Sequence, residues 1–476
     1  MGSVQSWLQH WFAFVRATDL MVGVRPVSTP TKSTLLQRDS VMVLGVGSFS
    51  QGVLSVLKER GCDVSTYLTR PYAHFGPRLV GTVFDSSSFP NPLKAFTEQR
   101  PNLIIPQSID WAQQPWADDL LGSGIPFLCP RGEALLLERD REYTRQLCRK
   151  YGVPFPQSYF APTLADALSI LRSDRRGYVL KNPLCSPTSP IHTIVCETAE
   201  ETEAWLPRLD YREGVFLQEF LGRAEIGHIA LVSGGEIHSL ISNQEYKRAF
   251  TGNMGIVAGA PLGGLVELDP GDRYGLAKTF LHPLLPWFRE TNFHGPVQIT
   301  AIQTPEGWSA LEYNVRLGVT CGPVILELLK DPFHTLLGTA RNEPLKVEFN
   351  SEKPFACSIT LAGQGYPYTE LVGPQFPVRV REGLDCRLLW NEVAGRSVDE
   401  LYVTGHRVAD VVARGTTLIS SIESAYSNIR RLHCLGSYYR TDIGAPLTPQ
   451  EFFPSRSHPH PECVGDTIPD FPLPLL

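Results

Sequence analysis

Apolar runs alternating with glycine turns set the first expectation. Val41-Met42-Val43-Leu44 is a short β-branched and apolar run, Gly45, Gly47 and Gly52 punctuate the turn after it, and Val53 to Glu59 reads as a helix. Similar strand-like runs fall at Asp63 to Leu68, Asn102 to Pro106 and Pro126 to Cys129, with a helix near Trp116–Leu121. Short buried strands alternating with helices imply a parallel sheet with helices on both faces. A charged helix is expected from Glu133 to Lys150, stopped by Gly152-Val153-Pro154. Strands and helices continue to about residue 345. From 353 to 445 the chain turns to Gly, Pro and short strands, with a helix at Ser420–Leu432. The pattern divides the chain into an N-terminal extension (1–39), a parallel α/β domain (40–130), a central domain (131–345), an α+β domain (346–445) and a proline-rich tail (446–476).

Composition narrows the class. Hydrophobic residues make up 42% and charged residues 19%, which excludes a disordered chain. The net charge of -6 speaks against a general nucleic-acid binder while leaving room for a local basic pocket. The ten cysteines include no C-x-x-C pair, so reduced thiols in a cytoplasmic protein are expected. The patch Trp11-Phe12-Ala13-Phe14-Val15 is broken by Arg16 and is too short for a membrane span.

The chemistry concentrates between Gly295 and Arg316. Val297–Gln303 and Trp308–Val315 read as two strands joined by Thr304-Pro305-Glu306-Gly307. With Gly307 in the left-handed position of a three-residue loop, Thr304 pairs with Trp308. Thr300 then faces Glu312 and Gln298 faces Asn314. Gln298, Glu312 and Asn314 cluster on one side, a hard-oxygen set suited to Mg²⁺, with Arg316 on the same face for a phosphoryl group. An exposed polar hairpin face is the alternative.

Glu312-x-Asn314-x-Arg316 followed by Gly318 resembles the metal-binding end of the ATP-grasp fold. The similarity extends over about residues 41–445 to the phosphoribosylamine–glycine ligase family. It includes Gly405-His406-Arg407-Val408, Gly415-Thr416-Thr417-Leu418, Ala425-Tyr426 and Tyr438-Tyr439-Arg440-Thr441-Asp442-Ile443-Gly444. The resemblance implies a multidomain α/β and α+β protein: a Rossmann-like N-terminal domain, an ATP-grasp domain with its lid at about 155–225, and a C-terminal α+β domain. It implies ATP and Mg²⁺ (or Mn²⁺), with Gln298, Glu312 and Asn314 as metal ligands. It assigns Lys181 and Arg141 to the phosphates, Gln218-Glu219-Phe220-Leu221 to adenine and Glu225 to the ribose. Lys247 and Arg248 form a basic pair near the reacting phosphate, together with Arg316. For the charged residues among these, a solvated surface is the alternative.

Several segments depart from the family. The Gly-rich flap after Lys181 is replaced by Asn182-Pro183-Leu184-Cys185-Ser186-Pro187-Thr188-Ser189-Pro190, where three prolines remove N–H donors and Ser186, Thr188 and Ser189 offer hydroxyls. The Gly-rich substrate loop is shortened to Thr251-Gly252-Asn253-Met254-Gly255. The Arg-Glu-His set after the first glycine turn is absent from Gly45-Val46-Gly47-Ser48-Phe49-Ser50-Gln51-Gly52; tight packing is the other reading of those glycines. Pro106-Gln107 replaces Pro-Glu, and Val319-Thr320-Cys321 replaces Asp-Pro-Glu. Cys321 reads as a buried structural thiol, and His458 and His460 as solvated tail residues. The expected activity is an ATP-dependent carboxylate–amine ligase working through an acyl phosphate on small-molecule substrates, with an amino acid as the carboxylate and a specialised, secondary-metabolite pathway as the setting. A phosphoribosylamine–glycine ligase of purine synthesis and a nucleotide binder without turnover are the alternatives. A homodimer is compatible with either enzyme reading.

Overall fold

A computed structural model describes residues 38–70, 74–185, 193–363, 365–368 and 376–445. The N-terminal extension up to residue 37, the flap hydroxyls of Ser186, Thr188 and Ser189, and the tail with His458 and His460 lie outside these residues. Among the described residues no helix is long and apolar enough to cross a membrane.

The first sheet contains β1 (Ser40–Leu44), β2 (Asp63–Leu68), β3 (Thr82–Asp85) and β4 (Leu103–Pro106), in the order β3-β2-β1-β4. All its pairs are parallel, since each return passes through a helix: Gly47–Glu59, Phe75–Val80, then Pro92–Gln99. β3 escapes the hydrophobic pattern because it is an edge strand burying only Phe84. The run Pro126 to Cys129 is not a strand; it makes a single bridge, Phe127 to Ile104.

The single helix expected from Glu133 to Lys150 is interrupted at Asp140, whose backbone is extended (φ -124°, ψ 109°). Its carboxylate accepts from Glu142 N and Tyr143 N, both at 3.0 Å, and starts a new helix, Arg141–Lys150. That is ordinary N-capping, which satisfies donors that have no partner in a helix's first turn.

A small antiparallel sheet follows: β5 (Ser158–Ala161), β6 (Tyr178–Lys181), β7 (Ile194–Val195) and β8 (Val215–Glu219), ordered β5-β8-β6-β7. It packs its own apolar cluster, including Ala167, Leu171, Tyr178, Leu180 and Leu217.

The remaining strands are β9 (Glu225–Ser233), β10 (Glu236–Glu245), β11 (Arg248–Phe250), β12 (Met254–Val257), β13 (Gly263–Leu268), β14 (Gly295–Thr304), β15 (Gly307–Asn314) and β16 (Phe355–Gly363). After them come β17 (Pro377–Val380), β18 (Arg387–Trp390), β19 (Val393–Gly395), β20 (Leu401–Val403), β21 (Arg407–Gly415), β22 (Leu432–Cys434) and β23 (Ser437–Tyr438). The central antiparallel sheet runs β15-β14-β9-β10-β13-β16-β21-β18. The β13–β16 ladder carries it past residue 345, so the C-terminal segment shares a sheet with the central one. The helix expected at Ser420–Leu432 spans Leu418–Ile429, and Leu432 instead opens β22. An apolar cluster joins β1 (Val41, Val43) and its helix (Phe49, Val53) to Leu317, Val324 and Ile229. This packing fixes the first sheet against the segment that follows β15.

Candidate active site

The β14–β15 hairpin reaches the expected pairing by a different route. Thr304 pairs with Gly307, not Trp308, so the loop is the two residues Pro305-Glu306. Gly307, at φ 125°, is the first strand residue and lies outside the left-handed helical region. A bulge at Leu311 then supplies the missing residue, between the pairs Ala301–Ala310 and Thr300–Glu312. Thr300 therefore does face Glu312, and Gln298 does face Asn314. A one-residue slip would have turned both polar strand ends to the other face. The bulged Leu311 carbonyl accepts from Gln218 Nε2 at 3.0 Å, which ties β8 to this hairpin.

Directly opposed residues share a face of an antiparallel sheet. One row across the sheet is Glu312, Thr300, Gly227 and Asn243. Gly227 makes room in that row for the Asn243 amide: a Cβ there would lie 2.3 Å from Asn243 Oδ1 and 3.2 Å from Gln298 Nε2. Thr300 Oγ1 and Asn243 Oδ1 are buried in this row with no hydrogen-bond partner among the described residues.

Lys247 is the centre of the charge cluster. Its Nζ lies 2.8 Å from Glu225 Oε2, 2.9 Å from Glu312 Oε1 and 3.9 Å from Glu245 Oε2. Lys181 Nζ, nearly fully buried at the end of β6, is 4.0 Å from Glu312 Oε2. Burial pushes the Lys181 ammonium down to about 8, and the neighbouring Glu312 only partly opposes this. Burial would also lower Lys247, but Glu225 and Glu312 outweigh it and hold its ammonium well above the ordinary range. Lys247 in turn holds the Glu312 carboxyl far below the usual carboxylate range. Glu245 is raised by burial.

The other expected residues divide into two groups. Arg316 stands beside this cluster, its Nε bound to Glu138 Oε1 at 3.2 Å, while Glu138 Oε2 accepts from Val315 N at 2.6 Å. Burial would lower Arg316; Glu138 overrides it and keeps the guanidinium charged. Arg141 donates to Asn182 O at 2.9 Å, the residue after Lys181, so the break at Asp140 brings it to the start of the flap. Arg248 does not join the carboxylates around Lys247. Neighbouring residues of an extended chain point to opposite sides, and Arg248 instead binds Glu197 Oε1 at 3.0 Å, a residue that Arg223 also holds at 2.6 Å. In the expected adenine segment, Phe220 N donates to Gly177 O and Glu219 pairs with Arg176, whereas no described residue accepts from Leu221 N.

The family model for the phosphoribosylglycinamide synthetase C domain matches residues 356–446. A phosphoribosylamine–glycine ligase of Leifsonia xyli is 31% identical over 349 residues, covering 69% of this chain and 81% of the relative. The chain belongs to the phosphoribosylamine–glycine ligase family. The family's enzyme from Chlorobaculum tepidum is 24% identical over 85% of this chain and 99% of its own length. The crystal structure of the Thermotoga maritima ligase superposes with a TM-score of 0.67 at 22% identity, over 85% of this chain and all of that one. A biotin carboxylase of Campylobacter jejuni, solved as a β,γ-ATP complex, has a TM-score of 0.63 at 12% identity and shares the fold. As a family member, this chain is an ATP-grasp enzyme that forms carbon–nitrogen bonds, with ATP and Mg²⁺ or Mn²⁺ as its cofactors.

The residues present in this ligase suit such a metal. Glu312, Asn314 and Gln298 offer oxygen donors along one sheet face, and the orphaned Thr300 and Asn243 oxygens lie in the adjoining row. Lys247 and Lys181 meanwhile supply the positive charge beside Glu312. Sequence reasoning missed Glu138, Glu197 and Glu245. Glu245 was within reach of it, since a residue two before Lys247 shares its side of an extended chain; Glu138 and Glu197 come from distant segments and carry no local signal.

The glycine turn of this family member is packed rather than open. A Cβ on Gly45 would lie 2.6 Å from Gln107 Oε1, and that oxygen accepts from Val46 N at 2.7 Å. Ser48 N donates to Asn391 Oδ1 at 3.1 Å, and Gln51 bridges to Trp390 N and Leu388 O. Cys321 is fully buried beside Gly318, and burial raises its thiol far out of the reactive range, in line with a structural role.

Proposed function

We propose that this enzyme phosphorylates the carboxylate of an amino acid with ATP and joins the resulting acyl phosphate to an amine, with glycine and phosphoribosylamine as the pair named by its relatives. The relatives favour this purine-type pair over a specialised pathway. The observation that carries the proposal is Lys247 held among Glu225, Glu245 and Glu312, with Lys181 on the far side of Glu312.

A carboxylate oxygen attacks the γ-phosphorus and ADP leaves; the amine nitrogen then attacks the acyl carbon, and phosphate leaves with the C–O electron pair. Bound Mg²⁺ would offset charge on the phosphates, held by Glu312, Asn314 and Gln298. Lys181 and Arg141 converge on the start of the flap and neutralise the nucleotide's phosphates. Lys247 exchanges carboxylate partners for the transferring phosphoryl group, and Arg316, fixed by Glu138, orients the carboxylate. Arg248, through Glu197, fastens the small sheet that must exclude water from the acyl phosphate.

The packed glycine turn favours a second reading, in which the amine is not a ribosyl phosphate. ADP release measured with glycine and a panel of amines, phosphoribosylamine included, separates the two. Dependence on phosphoribosylamine supports the first reading, and dependence on another amine the second. Glu312→Ala is expected to lower turnover by about 10²–10³-fold; unchanged turnover would remove the metal and phosphate assignments together.

A further inference from the structure

Glu312 shares a face with Thr300 only because the ladder passes over Leu311. The bulge falls between the pairs Ala301–Ala310 and Thr300–Glu312. Were it to move past Glu312, the strand's two-residue period would turn that carboxylate to the other face. Whatever holds the bulge in place therefore also holds Glu312 in its row.

β15 ends the central sheet, and among the described residues no strand pairs with its outer edge. Two groups from the small sheet's side meet that edge instead. Pro154 O accepts from Ala310 N at 3.0 Å, and Gln218 Nε2 donates to the bulged Leu311 O at 3.0 Å. Gln218 is 1% exposed and lies on β8, which is paired on one side to β5 and on the other to β6, so its backbone is fixed from both sides. It opposes Val179 on β6, two residues before Lys181, which puts Gln218 and Lys181 on one face of the small sheet. That face meets two consecutive residues of the hairpin: Gln218 holds the Leu311 carbonyl, and Lys181 Nζ lies 4.0 Å from Glu312 Oε2. Nucleotide acts differently on the two contacts. Phosphates compete for the Lys181 ammonium, as they do for Lys247, whereas an amide–carbonyl hydrogen bond carries no net charge for them to draw away. With both lysines turned to phosphate, Gln218 still fastens Leu311 to the small sheet.

We infer that Gln218 is a positioning residue for the metal: through the Leu311 carbonyl it holds the Glu312 carboxylate in place as a ligand, a role distinct from the adenine contact that the resemblance implies for it. This rests on the reading of Glu312 as a metal ligand.

Mn²⁺ binding tests this without turnover. Unbound Mn²⁺ is followed by its electron paramagnetic resonance signal at saturating ADP, and ADP affinity alone by calorimetry in EDTA. Gln218→Met and Gln218→Leu stay buried but cannot donate to the carbonyl. Each should weaken Mn²⁺ binding about tenfold to a hundredfold, the usual cost of losing a group that orients a ligand. Metal-free ADP affinity should stay within about twofold. Gln218→Glu, whose protonated carboxyl keeps a donor, should recover part of the Mn²⁺ affinity at acid pH. Turnover gives a second readout, because hydroxylamine traps an acyl phosphate as a hydroxamate. KM for Mg²⁺ in hydroxamate formation should rise in step with the loss of Mn²⁺ affinity, with kcat at saturating Mg²⁺ near wild type. Unchanged Mn²⁺ affinity in whichever apolar variant folds overturns the inference. So does a loss of metal-free ADP affinity with Mn²⁺ affinity unmoved, which puts Gln218 on the base. Glu312→Ala separates the inference from the reading beneath it. If that variant binds Mn²⁺ as wild type does, the metal assignment and the inference fall together; if it loses Mn²⁺ while the Gln218 variants do not, the inference falls alone.

Discussion

The sheet face around Lys247 and the glycine turn at residues 45–51 handle their polar groups in opposite ways. On the sheet face, charge is balanced by flexible lysines, and two buried oxygens, Thr300 Oγ1 and Asn243 Oδ1, have no partner among the described residues. In the turn, two backbone donors that could meet an anion are taken by side chains from elsewhere, Val46 N by Gln107 and Ser48 N by Asn391, while Ser48 Oγ has no partner among the described residues. A buried polar group left open costs stability and persists where a ligand will complete it. Backbone donors closed by the protein's own side chains have become part of the scaffold. The difference assigns ligand chemistry to the first region and docking of the helix Gly47–Glu59 on β18 to the second.

Removing Lys247 is the strongest way to break this contrast. Lys247→Met leaves Glu225, Glu245 and Glu312 facing one another without their shared cation. Turnover is expected to fall by about 10²–10³-fold, read as ADP release. An effect confined to thermal stability would make the cluster a structural ion network like any other. The turn should answer in the opposite sense. Asn391 also donates to Asp410 Oδ2 at 3.0 Å, so Asn391→Ala strands two buried groups. At roughly 1–3 kcal/mol for each unsatisfied group, unfolding by urea should show a loss of about 2–6 kcal/mol, with KM for ATP unchanged. Unchanged stability with a raised KM for the amine would return the turn to the substrate site.

The pH dependence sharpens the comparison on the sheet side. Burial holds the Lys181 ammonium at about 8, against about 10.4 in an unfolded chain. As pH rises through about 8 the folded enzyme loses this charge, and ATP affinity should weaken by up to about tenfold at pH 9. Between about 8 and 10.4 the unfolded chain holds the extra proton, so this residue's contribution makes the ligand-free protein more stable as pH rises across that window. Opposite trends of affinity and stability are the signature. Lys181→Arg, always charged, should remove both; an affinity inflection that survives in the arginine variant belongs to another group.

How far the sequence disclosed this site depended on the range of the contacts. Gln298, Glu312 and Asn314 were legible because a strand's two-residue period is local. Even so, the expected pairing was right through two compensating departures, a shorter loop and the Leu311 bulge, neither of which leaves a mark in residue type. The parallel first sheet was legible in its apolar runs, whereas β3, an edge strand with one buried residue, was not. The family resemblance placed Arg248 with Lys247 as a basic pair near the reacting phosphate, yet alternation sends its side chain to Glu197. Asn391 on Ser48 and Glu138 on Arg316 join residues 343 and 178 positions apart, a separation at which no pattern along the chain carries information. The same holds for the sheet that continues from β13 into β16.

The smallest expected effect tests whether local capping, rather than distant packing, sets the position of Arg141, the proposed phosphate contact. Asp140 interrupts the helical run so that Arg141 starts a new helix and reaches Asn182 O at 2.9 Å. Asp140→Ala removes the acceptor for Glu142 N and Tyr143 N. Loss of an N-cap costs about 0.5–2 kcal/mol, and here it also frees the backbone to continue from the helix Leu136–Arg139. A continuous helix would rotate Arg141 away from the flap, because each residue advances about 100° around the axis. KM for ATP should therefore rise a few-fold, by about the worth of one exposed charged contact, while hydroxamate formation at saturating ATP stays near wild type. Arg141→Ala should reproduce the rise in KM without the loss of stability, and the double variant should add no further rise, since both changes remove the same contact. If Asp140→Ala lowers stability by the expected amount with KM for ATP unmoved, the cap only holds the helix, and the Arg141 contact is set instead by the Asn182–Pro183 segment, which receives Arg141 N on Pro183 O at 3.1 Å.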